Sequence, residues 1–128
     1  MTDSSLKTKN IAILGSGSWG TALAVLLFKN GHNVNLWEFF PDRAEKIDST
    51  RLNPEFLPGV KIPSQIAVSS HLKETVRNKD IILIAVPSHI VRSVGEKLAR
   101  IPIPDSLIVS ASKGIENDTL LRMSEVIQ

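Results

Sequence analysis

Three glycines with G-x-G-x-x-G spacing lie between an apolar run, Ile11-Ala-Ile-Leu14, and an Ala- and Leu-rich stretch, Thr21 to Asn30. The first segment is typical of a strand buried on both faces, and the second is typical of a buried helix. A glycine turn between them lets the backbone approach an anion, which the N–H groups at the helix start then face. The sequence therefore predicts a pyrophosphate-binding loop, made of Gly15, Ser16, Gly17, Ser18, Trp19 and Gly20.

Each glycine of this loop has its own expected role. The first permits the tight turn, the second lets the backbone contact the pyrophosphate, and the third lets helix and strand pack closely. A triphosphate-binding loop would need lysine where the chain has Thr21, and a nucleophile elbow centred on Ser18 would need glycine where it has Ser16. A turn that only relieves the strand-to-helix junction is the alternative interpretation.

An acidic residue, Glu38, follows the second predicted strand, Asn33–Trp37, and comes 18 residues after the third glycine. At this place a carboxylate accepts hydrogen bonds from an adenosine ribose and repels a 2′-phosphate, which favours NAD (NADH) as the cofactor. NADP stays open, because Arg43 could bind a 2′-phosphate and Glu38 could point to solvent. Phe39 and Phe40 could stack on an adenine or cap the core.

Short apolar runs alternate with helical stretches along the chain, which predicts an α/β fold. We expect a Rossmann-type doubly wound, mostly parallel sheet with helices on both faces. The predicted strands are 11–14, 33–37, 66–68, 80–86 and 107–111, and the predicted helices are 21–30, 41–50, 88–100 and 117–127. Three prolines exclude a regular helix over 51–63, which is interpreted as a lid over the site or a rigid connector.

Two further candidate residues follow the carboxyl ends of predicted strands, where open α/β sheets bind their ligands. Pro87 ends the strand 80–86 and is a candidate cofactor contact. Lys113 follows the fifth strand, and its ammonium could stabilise negative charge on a reacting carbonyl oxygen and bind a phosphate. A solvated lysine before a helix is the alternative for Lys113.

Composition restricts the class of protein. The 128 residues, 42% hydrophobic and 22% charged, predict one dinucleotide-binding domain, 10–128, after a disordered tail, 1–9. Basic and acidic residues are mixed along the chain, so no nucleic-acid partner is expected. No apolar run nears the ~20 residues of a membrane span, so no membrane partner is expected either. The absence of cysteine fits a reducing compartment, with the cytoplasm as the default.

The three histidines, His32, His71 and His89, lack the spacing of metal ligands, so no metal is expected. His89 could donate a proton near the site, although a place at the start of a helix is the favoured interpretation.

Four segments resemble, in order, the NAD(P)-dependent glycerol-3-phosphate dehydrogenases of the bacterial type. They are Gly15-Ser-Gly-Ser-Trp-Gly-Thr-Ala-Leu-Ala24, Asn53-Pro-Glu-Phe-Leu-Pro-Gly59, Val86-Pro-Ser-His89 and Lys113-Gly-Ile-Glu116. The resemblance begins near Asn10 and implies the amino-terminal, dinucleotide-binding domain of that oxidoreductase. It also implies reversible reduction of dihydroxyacetone phosphate to sn-glycerol 3-phosphate with NADH or NADPH, in glycerophospholipid metabolism.

The resemblance also implies roles for single residues. In that family the loop matching Gly15 to Gly20 holds the pyrophosphate, the residue matching Phe39 lies by the adenosine, and the lysine matching Lys113 contacts cofactor and substrate. The catalytic lysine belongs to a helical second domain, so we expect no catalytic residue in this chain and little activity from it alone. The full-length protein is expected to be a homodimer through that second domain, and this chain to be monomeric with an exposed apolar patch.

One segment departs from the pattern of this family, and two alternative functions stay open. Glu38-Phe39-Phe40 stands where many bacterial members carry a small residue followed by Arg or His, which puts NADPH use in doubt. A related two-domain hydroxyacid or ketopantoate-type reductase is the first alternative, against which the Leu57-Pro-Gly59 and Lys113 to Glu116 segments argue. A non-catalytic dinucleotide-sensing module is the second.

Overall fold

The computed structural model describes residues 8–55, 57–103 and 106–110. Within these residues, strands and helices alternate along most of the chain. The strands are β1 (Asn10–Leu14), β2 (Asn33–Trp37), β3 (Leu52–Asn53), β4 (Leu57–Lys61), β5 (Ala67–Ser69), β6 (Ile81–Ile84) and β7 (Leu107–Ser110). The helices are α1 (Ser18–Lys29), α2 (Pro41–Thr50), α3 (Leu72–Val76) and α4 (Ser88–Leu98). Lys113 and the predicted helix 117–127 lie outside the described residues.

The main sheet has five parallel strands in the order β5-β2-β1-β6-β7. From the central β1 the chain runs outward through β2 to β5, and it then crosses back to β6 and continues to β7. This order confirms the predicted Rossmann-type, doubly wound fold. The direction of winding reverses between β1 and β6, and the crevice at such a reversal is where open α/β sheets bind their ligands.

The carboxyl ends of the three middle strands lie level with one another. Leu14, the last residue of β1, pairs with the last residues of both neighbours, Trp37 and Ile84. Gly15 and Glu38, which follow β1 and β2, therefore emerge at the same edge of the sheet. The Gly15 N–H also donates to the Trp37 carbonyl oxygen at 2.9 Å, which extends the pairing into the loop.

Side chains of the sheet fill one hydrophobic core on each face. On β1, Ile11 and Ile13 pack in the core beneath α1 and α2, whereas Ala12 and Leu14 pack in the core beneath α3 and α4. All four side chains are at most 2% exposed. A strand that is buried on both faces needs a continuous apolar run, which is why this segment shows no polar alternation.

Ile13→Ala tests the burial of β1. Ile13 is fully buried, and its truncation leaves a cavity, so we expect the free energy of unfolding to fall by about 2–5 kcal/mol in urea unfolding. Leu26→Ala is the matched control, because Leu26 is 53% exposed on α1. The control should lose less than about 1 kcal/mol. Equal losses in the two variants would contradict the placement of Ile13.

Helix α1 begins directly at the glycine loop, with Gly17 as its N-cap. The predicted start at Thr21 is three residues too late, because the turn formed by Ser18–Gly20 is already helical. Small and β-branched side chains form the buried face of α1 and let the helix lie close to the sheet. They are Gly20, Thr21, Ala24 and Val25.

The proline-rich segment 51–63 contains an antiparallel hairpin, β3–β4, that the sequence analysis did not predict. No helix forms among its described residues, as expected. Arg51 leaves α2 in the left-handed conformation with φ 62°, and its guanidinium donates to the carbonyl oxygens of Pro63 and Ile66. The Ile62 N–H donates back to the Arg51 carbonyl oxygen at 2.8 Å, which closes the base of the hairpin.

The residues directly before β1 are hydrogen-bonded to the turn that links α1 and β2. Thr8 Oγ1 donates to the Gly31 carbonyl oxygen at 3.1 Å, and the Lys9 N–H donates to His32 Nδ1 at 3.1 Å. Both residues fall in the stretch 1–9 that the sequence predicts to be a disordered tail, and these bonds place them instead beside the folded chain. Residues 1–7 lie outside the described part.

Candidate functional site

Two glycines of the loop are required by close backbone packing. Gly15 has φ 126°, and a Cβ there would lie 2.6 Å from the carbonyl oxygen of Ala85 at the end of the neighbouring strand. A Cβ on Gly20 would lie 1.9 Å from the Gly15 carbonyl oxygen. The first and third glycines therefore have the structural roles that their spacing predicts, a tight turn and close helix-to-strand contact.

Gly17 has the opposite environment. Nothing lies within 4 Å of a Cβ added to it, so its backbone faces open space. Its N–H donates to no acceptor in the described part of the chain, and the first turn of α1 has neither an acidic residue nor a side-chain cap. Free N–H groups at a helix start carry partial positive charge, so this open face suits a negatively charged group such as a phosphate.

The Glu38 carboxylate is held at the same edge of the sheet. It is 4% exposed, so the alternative that it points to solvent is wrong. Oε1 accepts a hydrogen bond from the Ser16 hydroxyl, and Oε2 accepts one from the Phe40 N–H at 2.8 Å. Each carboxylate oxygen has a further lone pair, so Glu38 can still accept hydrogen bonds from sugar hydroxyls.

Phe39 and Phe40 have different environments, one suited to capping the core and the other to stacking on a ligand. Phe39 packs against the core and meets the buried Trp37 ring edge-on, with ring centroids 5.7 Å apart. Phe40 is 53% exposed and stands edge-on to Phe39 at 5.1 Å. The Arg43 guanidinium lies 5.9 Å from the centre of the Phe40 ring, and its Nη2 pairs with Glu55 Oε1 at 3.1 Å. Phe40 therefore offers the ring surface for stacking.

These groups enclose a crevice of about 230 Å³ at the carboxyl edge of the sheet. Six of the predicted site residues line it, namely Gly15, Ser16, Gly17, Glu38, Phe39 and Pro87. Of the other three loop residues, Ser18 and Trp19 are exposed on the first turn of α1, and Gly20 is buried beneath the loop. His89 is exposed in the first turn of α4 and does not line the crevice, which agrees with the favoured interpretation.

Other residues of the crevice were not predicted as site residues. Phe40 and Arg43 have alternative roles in the sequence, and Val86 belongs to the Val86-Pro-Ser-His89 segment, whereas Ala85 and Ile90 carry no signal of their own. Ala85, Val86 and Ile90 give the crevice an apolar wall. Their apolar character predicts burial, and only the pairing of β6 with β1 brings them beside the glycine loop.

A second cavity, of about 200 Å³, lies at the opposite edge of the sheet. Three cations, Lys73, Arg77 and Lys79, line it together with Ser106, and partial burial lowers the pKa of the Lys79 ammonium. Lys79 and Ser106 precede β6 and β7, so this is the amino edge. Ligands of open parallel sheets bind at the carboxyl edge, which favours the crevice as the functional site.

In the described ranges, no group of three or more histidine or acidic side chains could hold a metal ion. None of the four helices combines the length and the apolar composition that crossing a membrane requires.

A family model described as the N-terminus of NAD-dependent glycerol-3-phosphate dehydrogenase matches residues 10–128. The chain belongs to this family. A glycerol-3-phosphate dehydrogenase [NAD(P)+] from Fusobacterium nucleatum is 46% identical over 118 residues, which are 92% of this chain and 35% of that protein. A relative of the same description from Thermoanaerobacter is 48% identical over 118 residues, 92% of this chain and 36% of that protein.

Solved structures agree with this assignment. The crystal structure of a glycerol-3-phosphate dehydrogenase from Coxiella burnetii superposes with a TM-score of 0.84 and 31% sequence identity. The match covers 94% of this chain and 37% of that one. The chain thus spans little more than a third of the length of these dehydrogenases. The residues that the family model matches, 10–128, include every residue that lines the crevice.

Proposed function

We propose that this chain is the amino-terminal NAD(H)-binding domain of a glycerol-3-phosphate dehydrogenase, which reversibly reduces dihydroxyacetone phosphate to sn-glycerol 3-phosphate. The observation that carries the proposal is the crevice, where the open face of Gly17 and the Glu38 carboxylate meet at the reversal of the sheet. Membership of the family and the names of its relatives support the reaction and the cofactor.

The glycine loop binds the pyrophosphate in this proposal. The N–H groups of Gly17, Ser18 and Trp19 are at the start of α1, where backbone donors and the helix dipole together favour an anion. Gly15 and Gly20 keep the loop and the helix close to the sheet. The open space beside Gly17 leaves room for the phosphates, and a side chain at this position would occupy that space.

Glu38 and Phe40 bind the adenosine. The carboxylate accepts hydrogen bonds from the ribose hydroxyls, and the exposed ring of Phe40 stacks on the adenine, with Phe39 behind it. A 2′-phosphate beside a carboxylate is repelled, so NADH is preferred to NADPH. Arg43 is the cation through which weaker NADP binding would occur, in competition with Glu55.

The other end of the crevice receives the nicotinamide, which supplies the hydride when the cofactor is bound. Pro87 and the apolar wall of Val86 and Ile90 restrict water there. We assign Lys113 to the cofactor and the substrate phosphate on the basis of the Lys113-Gly-Ile-Glu116 resemblance. A catalytic lysine is expected from the part of the relatives that this chain does not span.

A second, helical domain completes the enzyme in this proposal. It is supported by the length of the relatives and by the edge strand β7, where Leu107 and Val109 are 61% and 38% exposed on one face. Apolar surface of this kind suits contact with another domain. We further propose that the complete enzyme is a homodimer through this second domain, and that it is cytoplasmic, which the absence of cysteine favours.

The reaction is tested with the complete product of the gene that encodes this chain. NADH oxidation should require dihydroxyacetone phosphate and should be absent with ketopantoate or a 2-keto acid as the substrate. The isolated 128-residue chain should bind NADH without oxidising it measurably. Activity on ketopantoate would instead support the related reductases, and NADH binding without any activity in the complete product would support a sensing module.

A further inference from the structure

Asn53 is a buried polar residue to which the sequence assigns no separate role. It lies at the end of β3, is 3% exposed and does not line the crevice. Its segment is interpreted from sequence only as a lid or a connector. Buried amides are retained where their hydrogen bonds are satisfied, so the partners of this side chain indicate what it does.

Within the described residues, two hydrogen bonds of its side chain reach the glycine loop and the start of α1. Asn53 Nδ2 donates to the Ser16 carbonyl oxygen at 2.6 Å and to Thr21 Oγ1 at 3.0 Å. Thr21 Oγ1 in turn donates to the same Ser16 carbonyl oxygen at 3.0 Å. One carbonyl therefore receives two donors, and both come from buried side chains.

These bonds fix the direction of the next N–H group. In a trans peptide the carbonyl of Ser16 and the N–H of Gly17 point in opposite directions. A carbonyl held toward Asn53 and Thr21 therefore turns the Gly17 N–H to the other side. The structure places Gly17 in the lining of the crevice.

The peptide unit between Ser16 and Gly17 needs these hydrogen bonds to keep its orientation. Glycine at position 17 leaves room for the phosphates, but a glycine next to a peptide unit also leaves the rotation of that unit poorly restrained. A rotated unit would present the Ser16 carbonyl oxygen to the pyrophosphate in place of the N–H, and two negative groups would then face each other.

We infer that Asn53 is a positioning residue for the cofactor, because its amide holds the Ser16–Gly17 peptide unit with the N–H toward the pyrophosphate. The inference rests on the proposed NAD(H) site. This role of Asn53 couples the β3–β4 hairpin to the affinity of the glycine loop for phosphate, although none of the described residues of the hairpin lines the crevice.

Asn53→Asp tests this inference, since it keeps the size of the side chain and replaces the donor with an oxygen. The ionised carboxylate cannot donate to the Ser16 carbonyl, and it draws the Thr21 hydroxyl toward itself. Because burial raises the pKa of a carboxyl and a protonated one could still donate, the titration is made at about pH 9. We expect NADH affinity to fall by at least about tenfold. Adenosine lacks the pyrophosphate, so its affinity should change by less than about twofold. Asn30→Asp, at the exposed far end of α1, makes the same chemical change and should alter neither affinity.

Isothermal titration of the 128-residue chain with NADH and with adenosine gives both affinities, and thermal unfolding shows whether each variant is folded. An unchanged ratio of the two affinities in folded Asn53→Asp would overturn the inference while leaving the NAD(H) site intact. A wild-type chain that does not bind NADH would instead refute the proposed function.

If Asn53→Asp does not fold, Thr21→Val tests the same inference. Valine has nearly the shape of threonine and removes one of the two donors to the Ser16 carbonyl. The ratio of adenosine to NADH dissociation constants should fall by about threefold. An unchanged ratio in the folded variant would overturn the inference.

Discussion

Gly17→Asp should weaken the binding of NADH to this chain by at least about a hundredfold, because a carboxylate at that position lies within a few ångströms of the pyrophosphate. The substitution should not disturb the fold. Gly17 has an ordinary φ of −70°, and nothing lies within 4 Å of a Cβ added to it. Aspartate is also among the preferred N-cap residues, so α1 should be as stable as before or slightly more stable.

Gly17→Asn is the matched control for charge, since asparagine has the same shape and is an equally good N-cap. It should weaken NADH binding by less than aspartate does, because only the steric part of the effect remains. Fluorescence titration through Trp19, which is 46% exposed on the first turn of α1, measures both variants. Undiminished NADH binding by folded Gly17→Asp would mean that the pyrophosphate lies elsewhere.

Glu38→Gln should reverse the preference between the two cofactors. Glutamine can keep both hydrogen bonds of Glu38, because its Oε1 can accept from the Phe40 N–H while its Nε2 donates to the Ser16 hydroxyl. The change therefore removes the negative charge and leaves the wall of the crevice in place. Relief of repulsion should raise NADPH affinity by roughly tenfold to a hundredfold, with a smaller loss for NADH.

Glu45→Gln removes one carboxylate from the exposed face of α2, outside the crevice, and controls for the change in net charge. It should leave the ratio of NADH to NADPH affinity unchanged. Competition between the two nucleotides at fixed ionic strength measures this ratio. An equal ratio in the wild type and in Glu38→Gln would mean that Glu38 does not contact the adenosine ribose.

Local patterns predicted most of the fold, because the sheet is buried on both faces. Strand β2 and helix α2 have the predicted bounds, and Pro41 marks the start of α2 in both the sequence and the structure. The predicted strand 80–86 is longer than β6, since Ala85 and Val86 are buried but belong to the crevice wall. Apolar composition predicts burial, and it does not distinguish a strand end from the lining of a site.

Local patterns could not predict the β3–β4 hairpin or the hydrogen bonds of Asn53 to the glycine loop. Strand β3 has two residues and a register shift against β4, so neither length nor alternation marks it as a strand. Asn53 acts through partners 37 and 32 residues away, and no spacing rule links it to the glycine loop. Conversely, the position of Glu38 beside the glycine loop could be predicted, because its distance from the glycines reflects a fixed architecture, one strand, one helix and the next strand.

Two-dimensional ¹H–¹⁵N NMR of the labelled 128-residue chain during titration with NADH shows which part of the surface binds the dinucleotide. We expect saturable shifts in the amide signals of Gly17, Ser18 and Trp19 and of residues 38–40, with no change at Lys73 and Arg77 beside the opposite cavity. Saturable shifts confined to that opposite cavity, or no shifts at all in the folded chain, would contradict the assignment of the crevice as the dinucleotide site.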